Sequence, residues 1–162
     1  MRVTVLGAGY MGSAMAEVCA MRGHDVRLWG TWLDDALVEA VEQRKDHPRL
    51  KKTLDARVKP LRSEKLAEAL EGAELVVHGV SSDGLVPVLT KAAAHLPDVP
   101  ILSVTKGFLP GRSGKMERVD VIASEIAGRP LRYVHAAGPA KAIEVARRVL
   151  TWMHFASADV AN

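Results

Sequence analysis

Most residues of this chain that could do chemistry stand directly after an apolar run of strand type. The first group is Gly7-x-Gly9-x-x-Gly12, which follows Arg2–Leu6 and opens into a helix-forming segment. Strand, glycine turn and helix in that order make a setting for the pyrophosphate of a dinucleotide. Gly7 permits the tight turn, Gly9 lets a pyrophosphate approach bare backbone, and Gly12 lets the helix pack closely on the strand. The helix N-terminus adds free N–H groups and the positive end of its dipole. Ser13, Ala14 and Ala16 keep the packed face of that helix small.

The next strand-type run, Asp25–Trp29, ends in Gly30-Thr31. A carboxylate at this place would bind the ribose hydroxyls of NAD and repel a 2′-phosphate. Neither Gly30 nor Thr31 supplies one, so NADP(H) is the preferred cofactor and NAD(H) the second. The Thr31 hydroxyl could donate to the 2′-phosphate, or cap the following helix with Asp34. In Asp46-His47-Pro48-Arg49-Leu50, Pro48 stiffens the backbone beside Arg49, whose guanidinium can hold a phosphate with two N–H groups. Lys51 and Lys52 read as solvated surface.

Three later strand ends carry further candidates. Gly79 offers a flat ligand close approach, Ser81 and Ser82 stand where a nicotinamide would lie, and His78 reads as a packed strand residue. Lys106, between a central strand and Gly107, points into the crevice; a lysine there suits a phosphate or a developing oxyanion and is the catalytic candidate. Gly138-Pro139-Ala140 follows the sixth run, with Pro139 suited to be the first residue of a helix whose N–H groups face the same crevice. Glu144 reads as part of a solvated helix face.

These groups need a scaffold that brings strand ends together. Strands are expected near 2–6, 25–29, 57–59, 74–80, 100–105, 131–136 and 151–157, and helices near 10–22, 33–43, 63–71, 83–95, 115–127 and 139–149. Ser63 and Ser82 are the expected caps of their helices. Alternation of this kind predicts an α/β fold: a doubly wound, mostly parallel sheet with helices on both faces, the Rossmann arrangement. Ligands of such sheets sit at the carboxyl ends of the strands.

Composition narrows the classes. The chain has 162 residues, 48% hydrophobic and 25% charged, which suits one domain with a sizeable core. A net charge of +3 does not favour nucleic acid as a partner. The basic residues crowd between Arg44 and Arg62. The single cysteine, Cys19, excludes an internal disulfide, and the spacing of the six histidines makes no metal site. No apolar stretch approaches a membrane span, the chain opens on a strand, and a reducing cytoplasm is the expected compartment.

Taken together, the strand ends resemble the N-terminal dinucleotide-binding domain of NAD(P)-dependent glycerol-3-phosphate dehydrogenases, archaeal-type members in particular. The stretches VLGAGYMGSAMA, VRLWGT, DHPRL, HGVSSDG, SVTKGF and GPAKAIEVARR carry the resemblance, in the family's order and over essentially the whole chain. The family reduces dihydroxyacetone phosphate to sn-glycerol 3-phosphate with NADH or NADPH. By resemblance, Tyr10 and Met11 touch the cofactor, Thr31 contacts its adenosine end, and Lys106 meets both cofactor and phosphorylated substrate. Gly138 and Ala140 match substrate-side positions, and Ala142 a cofactor contact. Two positions depart from the pattern. Ala140 stands where the family often has Ser or Thr. Ile143 stands where Lys or Arg is common, with Lys141 two residues earlier.

The family also carries a second, all-helical domain that supplies the proton-donating lysine and much of the substrate pocket. Residues 1–162 correspond to the dinucleotide-binding domain alone. The expectation is a chain that binds NADP(H), turns over little by itself, and self-associates through apolar surface. Two alternatives are a non-catalytic binding or subunit-interaction module and a two-domain dehydrogenase of the 6-phosphogluconate or ketopantoate type. The Thr-Lys-Gly turn with the later Gly-Pro pair speaks against the second.

Overall fold

The computed structural model describes residues 1–111 and 114–158. Apolar runs buried on both sides place β1 (Arg2–Leu6) and β4 (Leu75–His78) at the centre of a seven-stranded sheet. Around them lie β2 (Asp25–Trp29), β3 (Val58–Leu61), β5 (Ile101–Ser103), β8 (Tyr133–Ala137) and β9 (His154–Ser157), in the order β3-β2-β1-β4-β5-β8-β9. Every neighbouring pair is parallel except β8 and β9. The strand order reverses between β1 and β4, and at that point the crevice opens above the carboxyl ends.

Alternation along the strands divides the core. Val3, Val5, Val26, Leu28 and Val77 face α1 (Tyr10–Met21), α2 (Asp35–Glu42) and α6 (Ala142–Ala146). Leu6, Trp29, Val76 and Ile101 face α3 (Leu66–Leu70), α4 (Ser82–Ala92) and α5 (Val119–Ala127). Adjacent residues such as Val76 and Val77 therefore fill opposite layers, as in a sheet covered on both faces. No described helix is long and apolar enough to cross a membrane.

The elements differ from expectation where long-range contacts compete with local pattern. Residues 108–110 and 116–118 pair as an antiparallel ribbon, β6 (Phe108–Pro110) and β7 (Met116–Arg118), so the helix expected from 115 starts at Val119. The helix expected over 63–71 is a 3-10 turn, Ser63–Lys65, followed by the short α3, and Ser63 caps nothing with its side chain. Ser81, not Ser82, is the N-cap of α4, its hydroxyl accepting from the Gly84 N–H at 3.4 Å. The helix expected from Pro139 runs only over Ala142–Ala146, with Lys141 at its N-cap. Its five residues are too short to aim N–H groups from Pro139 into the crevice.

Candidate nucleotide-binding cleft

The glycine turn shows three different constraints. Gly7 has φ +104°, a backbone region costly for a residue with a Cβ. At Gly12 a Cβ would lie 2.0 Å from the Gly7 carbonyl oxygen, so helix and strand touch backbone to backbone. Gly79 belongs to the same contact: a Cβ there would meet the Gly12 Cα at 2.7 Å. Close approach at Gly79 is thus taken up by α1, not offered to a ligand. Gly9 is different, because the nearest atom to a Cβ would be Arg49 Nη1 at 3.6 Å.

This open space lies at the start of α1. Gly9 caps the helix without a side-chain bond, no acidic residue stands in its first turn, and the first backbone bond into the turn runs from Ser13 N–H to the Gly9 carbonyl. The N–H groups of Tyr10, Met11 and Gly12 are left without a protein acceptor. A cradle of bare N–H groups without a blocking Cβ fits a pyrophosphate.

The loop after α2 reaches this cradle through contacts that sequence reading missed. His47 is fully buried. Its Nε2 lies 3.1 Å from the Ala8 carbonyl and 3.1 Å from Ser13 Oγ, while Nδ1 accepts from the Leu50 N–H at 3.3 Å. These partners assign the neutral ring with its proton on Nε2. Burial pushes the His47 pKa below its ordinary value. Lys52 of the same loop is ion-paired to buried Glu17 of α1 and donates to the Ala146 carbonyl, so it is anchored rather than merely solvated. Together they hold Arg49 with its guanidinium 5.4 Å from the Tyr10 ring centroid.

A cleft of about 550 Å³ results, lined by Tyr10, Met11, Arg49, Lys106 and Ala142 from the sequence reading. Lys51 and Lys141 also line it, which brings four cations to one cavity. Lys141 thereby supplies a basic group near the position of Ile143. Lys106 donates from Nζ to the Gly138 carbonyl at 3.3 Å, spanning from the end of β5 to the end of β8. Gly138 and Ala140 sit beside Lys106 and Met11 around a small void of about 10 Å³, and Ala140 is packed into the core. Among the described residues no group of three or more His, Cys, Asp or Glu could hold a metal ion.

Thr31 stands apart from this cleft, at the end of β2. Its hydroxyl donates to Asp34 Oδ2 at 2.8 Å and accepts from the Leu33 N–H, so its proton is committed within the protein. Asp34 is buried, and the same oxygen accepts from the Thr31 and Ala8 N–H groups. The acid is turned inward, joining the end of β2 to the glycine turn. Arg49 lies beside Gly9, where its guanidinium reaches the cradle of bare N–H groups. Arg49→Ala is expected to weaken NADPH and NADH alike, by about 1–3 kcal/mol, the range for a lost charged hydrogen bond. Fluorescence titration of both nucleotides checks this; a loss confined to NADPH would place Arg49 at the 2′-phosphate.

The family model described as "NAD-dependent glycerol-3-phosphate dehydrogenase N-terminus" matches residues 2–162. The chain belongs to this family. An NADP(+)-dependent glycerol-3-phosphate dehydrogenase of Archaeoglobus fulgidus is 35% identical over 157 residues, spanning 97% of this chain and 47% of the relative. A glycerol-3-phosphate dehydrogenase [NAD(P)+] of Myxococcus xanthus is 36% identical over 160 residues, spanning 97% and 46%. The crystal structure of glycerol-3-phosphate dehydrogenase from Coxiella burnetii superposes with a TM-score of 0.80 at 26% identity, over 99% of this chain and 47% of that one. The chain thus spans about half the length of the glycerol-3-phosphate dehydrogenases it matches.

Proposed function

We propose that this chain is the nucleotide-binding half of an NAD(P)-dependent enzyme interconverting dihydroxyacetone phosphate and sn-glycerol 3-phosphate, with NADP(H) the preferred cofactor. The observation that carries the reading is the convergence of three unpartnered α1 N–H groups with Arg49, Lys51, Lys106 and Lys141 on one cleft. In this reading Gly7, Gly9 and Gly12 shape the cradle, and Tyr10, Met11, Arg49 and Ala142 hold the cofactor. Thr31 sets the backbone at the adenosine end through Asp34. A bound NAD(P)H supplies the hydride. Lys106 places its ammonium beside the Gly138 carbonyl, where it attracts the substrate phosphate and stabilises negative charge developing on the carbonyl oxygen.

The proton donor is assigned to a second, helical domain, and residues 1–162 to a single dinucleotide-binding domain. Apolar side chains exposed beside β9, among them Leu150, Trp152 and Phe155, support a surface that another domain or a second copy covers. The cytoplasm is the proposed setting; it fits a lone Cys19 whose thiol pKa burial pushes up.

The test is NADPH oxidation with dihydroxyacetone phosphate, run on this chain beside the full-length Archaeoglobus fulgidus relative. The chain is expected to bind NADPH but show negligible turnover, since a positioned acid alone contributes about 10²–10⁴-fold in rate. Absence of NADPH binding would remove the reading. Turnover equal to the full-length relative would place the proton donor among these residues.

A further inference from the structure

Lys106 stands on a turn that lies just past the end of the sheet ladder. The last backbone bond between β4 and the end of β5 runs from the Val104 N–H to the His78 carbonyl at 3.1 Å. One residue on, a side chain takes over. Thr105 is 2% exposed; its hydroxyl donates to the Val80 carbonyl at 2.7 Å and lies 3.2 Å from His78 Nδ1. With its own proton given to Val80, this hydroxyl accepts from the imidazole N–H. Val80 packs in turn on the glycine turn, its Cγ1 only 2.7 Å from where a Gly7 Cβ would lie. A continuous path therefore runs from the glycine turn through Val80 and Thr105 to Lys106.

A histidine is a costly residue at this place. The His78 ring is fully buried, and among the described residues its Nε2 has no partner. That nitrogen loses its water without compensation. A leucine would fill the layer without such a cost, so the bond to Thr105 is what the histidine adds. Neither His78 nor Thr105 lines the cleft, whereas Val104 and Lys106 on either side of Thr105 do.

We propose that His78 and Thr105 are a positioning pair for Lys106. They fix the turn that carries its ammonium relative to the glycine turn, and so set how well the cleft holds the phosphate of a small phosphorylated ketone. The inference rests on the functional reading above. A lysine ammonium rides on a flexible four-carbon stem, so its placement depends on a rigid backbone beneath it. The Lys106 bond to the Gly138 carbonyl fixes the far end of the stem, and Thr105 fixes the near end.

Calorimetric titration of the NADPH-loaded chain with dihydroxyacetone phosphate tests the pair. Thr105→Val and His78→Leu are each expected to weaken the phosphorylated ketone about tenfold, as for one charged hydrogen bond lost. Thr105→Ser and His78→Asn keep the hydroxyl and the N–H, and are expected to stay within about twofold of the parent. In a Lys106→Met background, Thr105→Val is expected to add less than about twofold, because the pair acts through the lysine. Equal losses from Thr105→Val with and without Lys106 would show general loosening and refute the pair. Should Thr105→Val fail to fold, His78→Leu in both backgrounds gives the same comparison, since it leaves the Thr105 bond to Val80 in place. A parent chain that binds NADPH but no dihydroxyacetone phosphate overturns the proposal and leaves the nucleotide cleft standing. A parent that binds neither removes the functional reading and the pair with it.

Discussion

Gly9→Val is expected to abolish NADPH binding and leave the unfolding transition in place, whereas Gly12→Ala is expected to damage the fold itself. The two glycines stand three residues apart in one motif, yet their surroundings are opposite. A side chain at Gly9 meets no backbone; its nearest neighbour is the end of the Arg49 side chain at 3.6 Å, which can swing away. Branched methyl groups there fill the space before the free N–H groups of Tyr10, Met11 and Gly12. A pyrophosphate then loses its approach to the helix N-terminus. At Gly12 the obstruction is the Gly7 carbonyl oxygen, 2.0 Å from the new Cβ. Backbone cannot rotate away, so α1 must lift off β1. The cost is that of overpacking a core, about 1–3 kcal/mol or more. Urea unfolding separates the variants, and nucleotide titration completes the comparison. Parent-like affinity in Gly9→Val would remove the glycine turn from the binding site.

Acidification from pH 7 to pH 4 is expected to remove on the order of 3 kcal/mol of stability through His78. His78 is fully buried in β4, with Nδ1 3.2 Å from Thr105 Oγ1. Thr105 gives its own proton to the Val80 carbonyl, so the imidazole donates from Nδ1. Nε2 has no partner, and protonation there would leave a charged N–H in the apolar layer. Burial lowers the His78 pKa to about 4 from an ordinary 6.5. Between those values the unfolded chain binds the proton and the folded chain does not. Stability is therefore complete above about pH 6.5, falls as the pH drops through the window, and levels off below about 4. His47, also lowered by burial, adds in the same direction. Asp25 and Asp55, held low by Lys59 and Arg57, lose their contributions only at more acid pH. Urea midpoints across this range check the effect. His78→Asn keeps an N–H donor for Thr105 without an ionisable ring, so its profile is expected to flatten between pH 6.5 and pH 4. An unchanged slope would show that other groups set the acid limit.

Much of this protein is legible in the sequence because its signals are local. The strand–glycine–helix order over the first dozen residues, the alternation of apolar runs with helical segments, and Lys106 at a strand end each depend on near neighbours. The period of the apolar residues settles which way a side chain faces, and the parallel, doubly wound sheet follows. The doublet Val76-Val77 shows this plainly, since both are buried in opposite layers. The β6–β7 ribbon escapes such reading because its pairing competes with a helix-compatible pattern around residue 116.

Tertiary structure alone decides which distant residues meet. Arg49 reaches the glycine turn because His47 bonds the Ala8 carbonyl 39 positions away and Lys52 pairs with Glu17. Nothing local marks Lys141 as a fourth cation of the cleft or Thr105 as the partner of His78. The sequence suggests a ligand contact for Gly79 and a capping partner in Asp34, but packing turns Gly79 toward Gly12, and hydrogen bonding turns Asp34 toward Thr31 and Ala8. The physical reason is common to all of these. Local periodicity reports the face on which a side chain lies, while its partner across the crevice is chosen by how strands order and loops close, and that choice leaves no mark within a few residues of either member.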